Sequence, residues 1–124
     1  MEQKQQKLTP QVMEDRLIDF ASRVIDVVEA LPPTPAGKHI GGQMLRSGTS
    51  PALNYGEAQV AESRSDFIHK MKICLKELRE TLVCLKIIVK RNWFPEGKLD
   101  SLMIENNELV AIFIASTKTA VSKK

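Results

Sequence analysis

The chain of 124 residues contains no run of about 18 apolar residues, so nothing in it reads as a membrane span. Its start, MEQKQQKLTP, is polar and lacks the apolar stretch of a secretion signal. A cytoplasmic protein is the expectation. Cysteine is scarce: Cys74 and Cys84 stand alone, on one expected helix. At ~1.5 Å rise per residue they lie about 15 Å apart, which excludes a disulfide between them within the chain. Histidine is equally scarce. His39 and His69 fall on different expected helices with no Cys or His at metal-ligand spacing, and both read as exposed side chains. There is no Glu-x-x-His pair, no G-x-S-x-G elbow, and no glycine loop followed by Lys-Ser/Thr. Those absences speak against a di-metal bundle, a serine hydrolase and a phosphate-loop enzyme. The expectation is a protein without enzymatic activity, with no metal and no cofactor.

Pro and Gly, six of each, are segregated rather than spread, which argues against broad disorder. Hydrophobic content of 43% and charged content of 27% suit a soluble globular protein, and the length suits one domain. The formal charge of +3 permits an acidic partner without requiring one.

Spacing organises the chain into a polar tail over residues 1–9 and a single domain over 10–122. The first helix is expected over 10–31. Thr9 caps it, Pro10 opens it, and Leu17, Phe20, Ala21, Val24, Val28 and Leu31 share one face. Pro32-Pro33-Thr34-Pro35 ends it. A second helix, over 34–63, is interrupted in propensity by Gly41-Gly42, Gly48 and Pro51. A kink is expected near Ser47–Pro51, with small residues that let a neighbour come close. The third, over 66–92, carries a near-heptad seam of Phe67, Met71, Cys74, Leu78, Leu82, Leu85 and Val89. Trp93–Gly97 turns the chain into a fourth helix over 98–122. No strand pattern competes. Long amphipathic helices with short links predict an all-α, up-down-up-down antiparallel four-helix bundle.

Opposite the third helix's seam, Lys72, Lys76, Arg79, Lys86 and Lys90 fall within roughly 80° of one another at ~100° per residue. Such a stripe reads as a surface that tracks phosphates, or as a plain solvated face. It has no interleaved aromatics, so it would read backbone and shape rather than bases. Ile73, Val83, Ile87 and Ile88 lie off the seam, and a helix apolar on more than one side points to a homo-oligomer interface at Ile73, Val83 and Ile87. A broad core stripe that takes in Ile88 and Cys84 is the alternative.

Five polar residues sit where a bundle needs apolar ones: Arg46, Asn54, Glu57, Glu77 and Glu80. Arg46 offers a fork of donors suited to carboxylates, and Glu77 and Glu80 project from adjoining parts of one helix. A structural network that fixes register or subunit contacts is the favoured reading. A metal or general acid/base site is the competing one.

The runs Gln43–Ser50 (QMLRSGTS), Asn54–Ala58 (NYGEA), Ser63–Ile68 (SRSDFI) and Leu75–Thr81 (LKELRET), with FASRVIDVVEALP upstream, resemble the four helix bundle protein family, also called the 23S rRNA intervening-sequence protein family. The resemblance spans roughly residues 15–120. It implies a bacterial, left-handed up-down bundle and a homopentamer shaped like a barrel or funnel, with no enzymatic activity. It also implies a distant relation to the accessory variability protein of diversity-generating retroelements, which works with a reverse transcriptase on RNA. The motif positions carried over are Arg46, Ser47, Ser50, Asn54, Glu57, Ser63, Asp66, Phe67, Lys76, Glu77, Glu80 and Thr81. Two departures stand out: Pro51 where an aliphatic is commoner, and Leu82-Val83-Cys84-Leu85 in place of an aromatic-bearing run. Residues and resemblance together predict a homo-oligomer that binds nucleic acid, RNA favoured, through Lys72, Lys76, Arg79, Lys86 and Lys90. The rival is a protein-interaction scaffold docking a partner such as a polymerase.

Overall fold

A computed structural model describes residues 8–123 as four helices. They are α1 (Pro10–Glu29), α2 (Pro35–Ala58), α3 (Arg64–Lys90) and α4 (Asp100–Ser122). Positions 1–7 of the expected tail lie outside the described residues. Three helix starts follow from hydroxyl caps. Thr9 accepts from the Val12 N–H, Thr34 from Gly37 and Ser63 from Asp66, and proline stands directly behind the first two caps.

The boundaries differ from expectation where local bonding decides them. The second helix ends at Ala58 rather than residue 63, because Ser63 is taken up as the cap of α3, which therefore begins at Arg64. Ahead of Pro32, the Ala30 and Leu31 N–H groups tighten onto Val27 and Val28, so α1 stops at Glu29. Gly97 adopts φ +84°, in the left-handed region, and delays α4 to Asp100. α2 is a single helix through Gly41-Gly42 and Pro51. Pro51 removes the donor for the Ser47 carbonyl, and the nearby Ser47 and Thr49 hydroxyls donate instead to the Met44 and Leu45 carbonyls.

Cross-helix bonds fix the topology. Glu77 and Lys70 of α3 meet Arg46 and Glu57 of α2, so the two run antiparallel. Arg64 and Leu78 of α3 meet Ala120 and Asn106 of α4, again antiparallel. Arg16 and Arg23 of α1 meet Glu105 and Ser101 of α4. The α2–α3 contact is the most extensive and α1–α4 the slightest, while α1 and α3 are not neighbours. α1 lies close on α2 because Gly48 has no side chain: a Cβ there would stand 2.6 Å from a Val24 methyl.

The core runs through Leu17, Phe20 and Val24, Met44 and Tyr55, Cys74, Leu78, Leu85 and Ile88, and Leu109 and Phe113. Tyr55 meets Phe113 edge to face at 5.9 Å. On α3 the buried line is Met71, Cys74, Leu78, Thr81, Leu85 and Ile88. The expected seam is therefore corrected in its second half. Ile88 is fully buried, Leu82 is half-buried and Val89 is 47% exposed. The heptad step passes through a polar residue, Thr81, and a reading that follows apolar side chains jumps to Leu82 and then Val89.

Two outcomes follow. In urea unfolding, Gly48→Ala is expected to lose about 1–3 kcal/mol by overpacking against Val24. Gly42→Ala, where a Cβ meets nothing, is expected to gain about 0.5–1 kcal/mol. Similar effects at both sites would contradict the close α1–α2 approach. Burial also pushes the Cys74 thiol up to about 12 from its ordinary 9.0 and raises the Tyr55 hydroxyl. The folded chain then holds protons that the unfolded chain releases, so stability is full below about pH 9 and falls as pH rises toward 12. Cys74→Ala is expected to flatten that alkaline loss, and an unchanged slope of stability against pH would count against it.

Candidate nucleic-acid interface

The α2–α3 contact carries a polar seam beside the apolar core. Arg46 Nη1 donates to Glu77 Oε1 at 2.6 Å, and its Nη2 donates to Glu80 and to Gln43. Glu77 is buried, with 7% of its side chain exposed, whereas Arg46 is half open to solvent at 51%. The hydrogen bond to Glu77 raises the Arg46 pKa above its ordinary value. One turn on, the Ser47 and Thr81 hydroxyls meet at 2.8 Å, both fully buried, and Thr81 also donates to the Glu77 carbonyl.

Arg46, Glu77 and Glu80 thus form one cluster, and the other two polar residues bond elsewhere. Asn54 turns back on its own helix, donating to the Ser50 carbonyl and hydroxyl. Glu57 accepts from Lys70 at 2.6 Å near the far end of α2. Glu57 therefore does not join Glu77 and Glu80. Among the described residues there is no group of three or more His, Cys, Asp or Glu that could hold a metal.

Three further polar links escaped the sequence reading. The Ser47–Thr81 pair lies among its motif positions but gives no charge to draw the eye. Asn106, fully buried, donates to the Leu78 carbonyl across the α3–α4 contact. Its place between Leu102 and Leu109 on the α4 core face was the available signal. Arg16 grips Glu105 and Glu108, which raises its own pKa, and nothing local in the sequence announces a bridge between the first and last helices.

With α3 held in this phase, Lys72, Lys76, Arg79, Lys86 and Lys90 all face solvent. None of them enters an ion pair among the described residues. From Lys72 to Lys90 the line extends about 27 Å along the helix. Val83 lies inside this stripe by helical angle, 55% exposed, and Ile87 borders it at 39%. Ile73 is half-buried on the flank toward α2. The basic face is therefore not purely polar.

A groove of about 540 Å³ lies between the start of α3 and the end of α4 beside Arg64, Phe67, Thr119 and Ala120. Ser116 and Lys123 also line it, with no hydrogen bond between them. His39 and His69 are exposed. Among the described residues, no helix is long and apolar enough to cross a membrane.

Arg46→Ala is expected to lower the melting temperature more than Lys70→Ala, because it strands a buried carboxylate whereas Glu57 is 59% exposed. Equal shifts in thermal unfolding would show that Glu77 is solvated.

No curated protein matches the chain. A crystal structure of a protein of unknown function from the S23 ribosomal protein family of Bacteroides thetaiotaomicron is similar over the whole bundle. Its TM-score is 0.81 at 31% sequence identity, covering 90% of this chain and 99% of that one. The profile of the family described as 23S rRNA-intervening sequence protein matches residues 12–115, and the chain belongs to that family.

Proposed function

We propose that the chain is a non-enzymatic, cytoplasmic homo-oligomer that binds nucleic acid through the outer face of α3. The observation that carries this reading is the line of five exposed cations, Lys72, Lys76, Arg79, Lys86 and Lys90, free of intramolecular acid partners among the described residues. A rigid helix that presents cations over about 27 Å suits a phosphate backbone, where each contact releases condensed counterions. The stripe lacks aromatic platforms, so the ligand is a structured nucleic acid read by shape. RNA is favoured over DNA by the family description and by the ribosomal family of the similar structure. The pentameric state implied by the resemblance would repeat the stripe around a ring and multiply its affinity.

A second reading has its own observation. Val83 and Ile87 are aliphatic and exposed within or beside the stripe, where phosphate gains nothing from them. They favour a protein partner, such as a polymerase, docked on the same face by an acidic surface with apolar patches.

Binding to a structured RNA is expected to weaken with salt, with a log–log slope between about −3.5 and −4.5 if all five cations engage. Lys72→Glu, Lys76→Glu and Lys86→Glu together are expected to abolish it. A salt-independent affinity would exclude the electrostatic mode. Unchanged binding by the triple variant would move the site off α3.

A further inference from the structure

Two surface features of opposite character lie well apart in the bundle. On α1, Asp15, Asp19, Asp26 and Glu29 are exposed and fall within roughly 80° of one another. Among the described residues none of them enters an ion pair, and Asp15 has one hydrogen bond, accepted from Gln11. Ile18 borders this face, 53% exposed, one turn along from Asp15 on the side away from Asp19. The second feature is a groove of about 390 Å³ between α3 and α4. It is lined by the aliphatic Leu75, Ile114 and Val121 and by the cations Arg79 and Lys118, and no carboxylate lines it. The Thr117 hydroxyl also lines it, buried and without a hydrogen-bond partner. α4 explains why the groove is apolar: Leu109 to Ala115 is an unbroken apolar run, more than the contact with α3 can cover.

We propose that this groove receives the α1 face of a second copy of the chain. Ile18 sits against Leu75, Ile114 and Val121, while Asp15 and Asp19 pair with Arg79 and Lys118. Charge complementarity selects a second copy as occupant. Among its charged residues the groove carries cations only, and the chain itself displays an exposed aliphatic, Ile18, at the edge of a face of unpaired carboxylates. Because α1 and α3 are not neighbours, one copy can use its α1 face and its groove at once. The contact is heterologous, the kind that propagates into a ring or an open chain. Lys72, Lys76, Lys86 and Lys90 lie outside the groove and stay accessible in the assembly, whereas Arg79 passes from the nucleic-acid stripe to the subunit contact. The inference rests on the homo-oligomer part of the proposed function and names the two surfaces that would build it.

Charge reversal tests it by sedimentation velocity on the full chain. Asp15→Lys with Asp19→Lys, and separately Arg79→Glu with Lys118→Glu, should each weaken self-association by at least about tenfold, since each sets like charges opposite one another. Mixing the two variants, or combining all four substitutions in one chain, should restore association. The four substituted side chains are exposed, so circular dichroism should show the wild-type helix content. A monomeric wild type would overturn the proposal, as would an assembly indifferent to either reversal or unrestored by the combination. The α1 reversal leaves every α3 cation in place. Loss of RNA binding by an intact wild-type assembly would therefore sink the nucleic-acid reading and leave this contact standing.

Discussion

The pairing of Arg46 with Glu77, backed by Ser47 against Thr81, sets the rotational phase of α3, and the character of the molecular surface depends on that phase. Hydrophobicity alone does not choose it. α3 carries aliphatic side chains nearly all round, and a seam through Leu82 and Val89 would turn two aliphatic side chains inward where the observed one turns Thr81 and Ile88. What the rotated seam could not do is satisfy Glu77 and the two hydroxyls. A buried carboxylate without its partner is far less tolerable than an exposed valine. The polar seam acts as a register key, as a single buried polar residue does in a coiled coil.

Phase on the inside is display on the outside. With Thr81 and Ile88 turned inward, the five cations of α3 emerge along one line, Val83 and Ile87 emerge with them, and Leu75 is left on the flank toward α4. The same choice that fixes the core thus places the basic face and the apolar groove side by side. α1 contributes the opposite pole: its arginines turn toward Glu105, Glu108 and Ser101 on α4, which leaves its outer carboxylates unpaired. The bundle is polarised because the outer face of α1 carries unpaired carboxylates and the outer face of α3 unpaired cations among the described residues.

The four helices, their antiparallel order and most of their caps were legible in the sequence, because three- and four-residue spacing, prolines behind threonines and a glycine turn are local signals. The chain's resemblance to the intervening-sequence family was legible too, and residues 12–115 match it. The second half of the α3 seam was not, since Thr81 breaks the apolar pattern at the position where the core is polar. Nor was the split of the five polar residues. Asn54 and Glu57 share a helix face with Arg46, but sequence spacing does not tell a bond within one helix from a bond across two. Long-range pairs such as Arg16 with Glu105 have no local signature at all.

The central claim is that polar contacts, not apolar burial, hold α3 in phase. Hydroxyl-radical footprinting with side-chain resolution tests it most directly, in a variant with Arg46→Met, Glu77→Leu, Ser47→Ala and Thr81→Leu. In the native chain Val89 should label strongly and Ile88 weakly. If the seam sets the phase, the variant stays helical but the ratio of Val89 to Ile88 labelling falls, as the Leu82–Val89 line competes for the core. An unchanged ratio in a folded variant would contradict the claim.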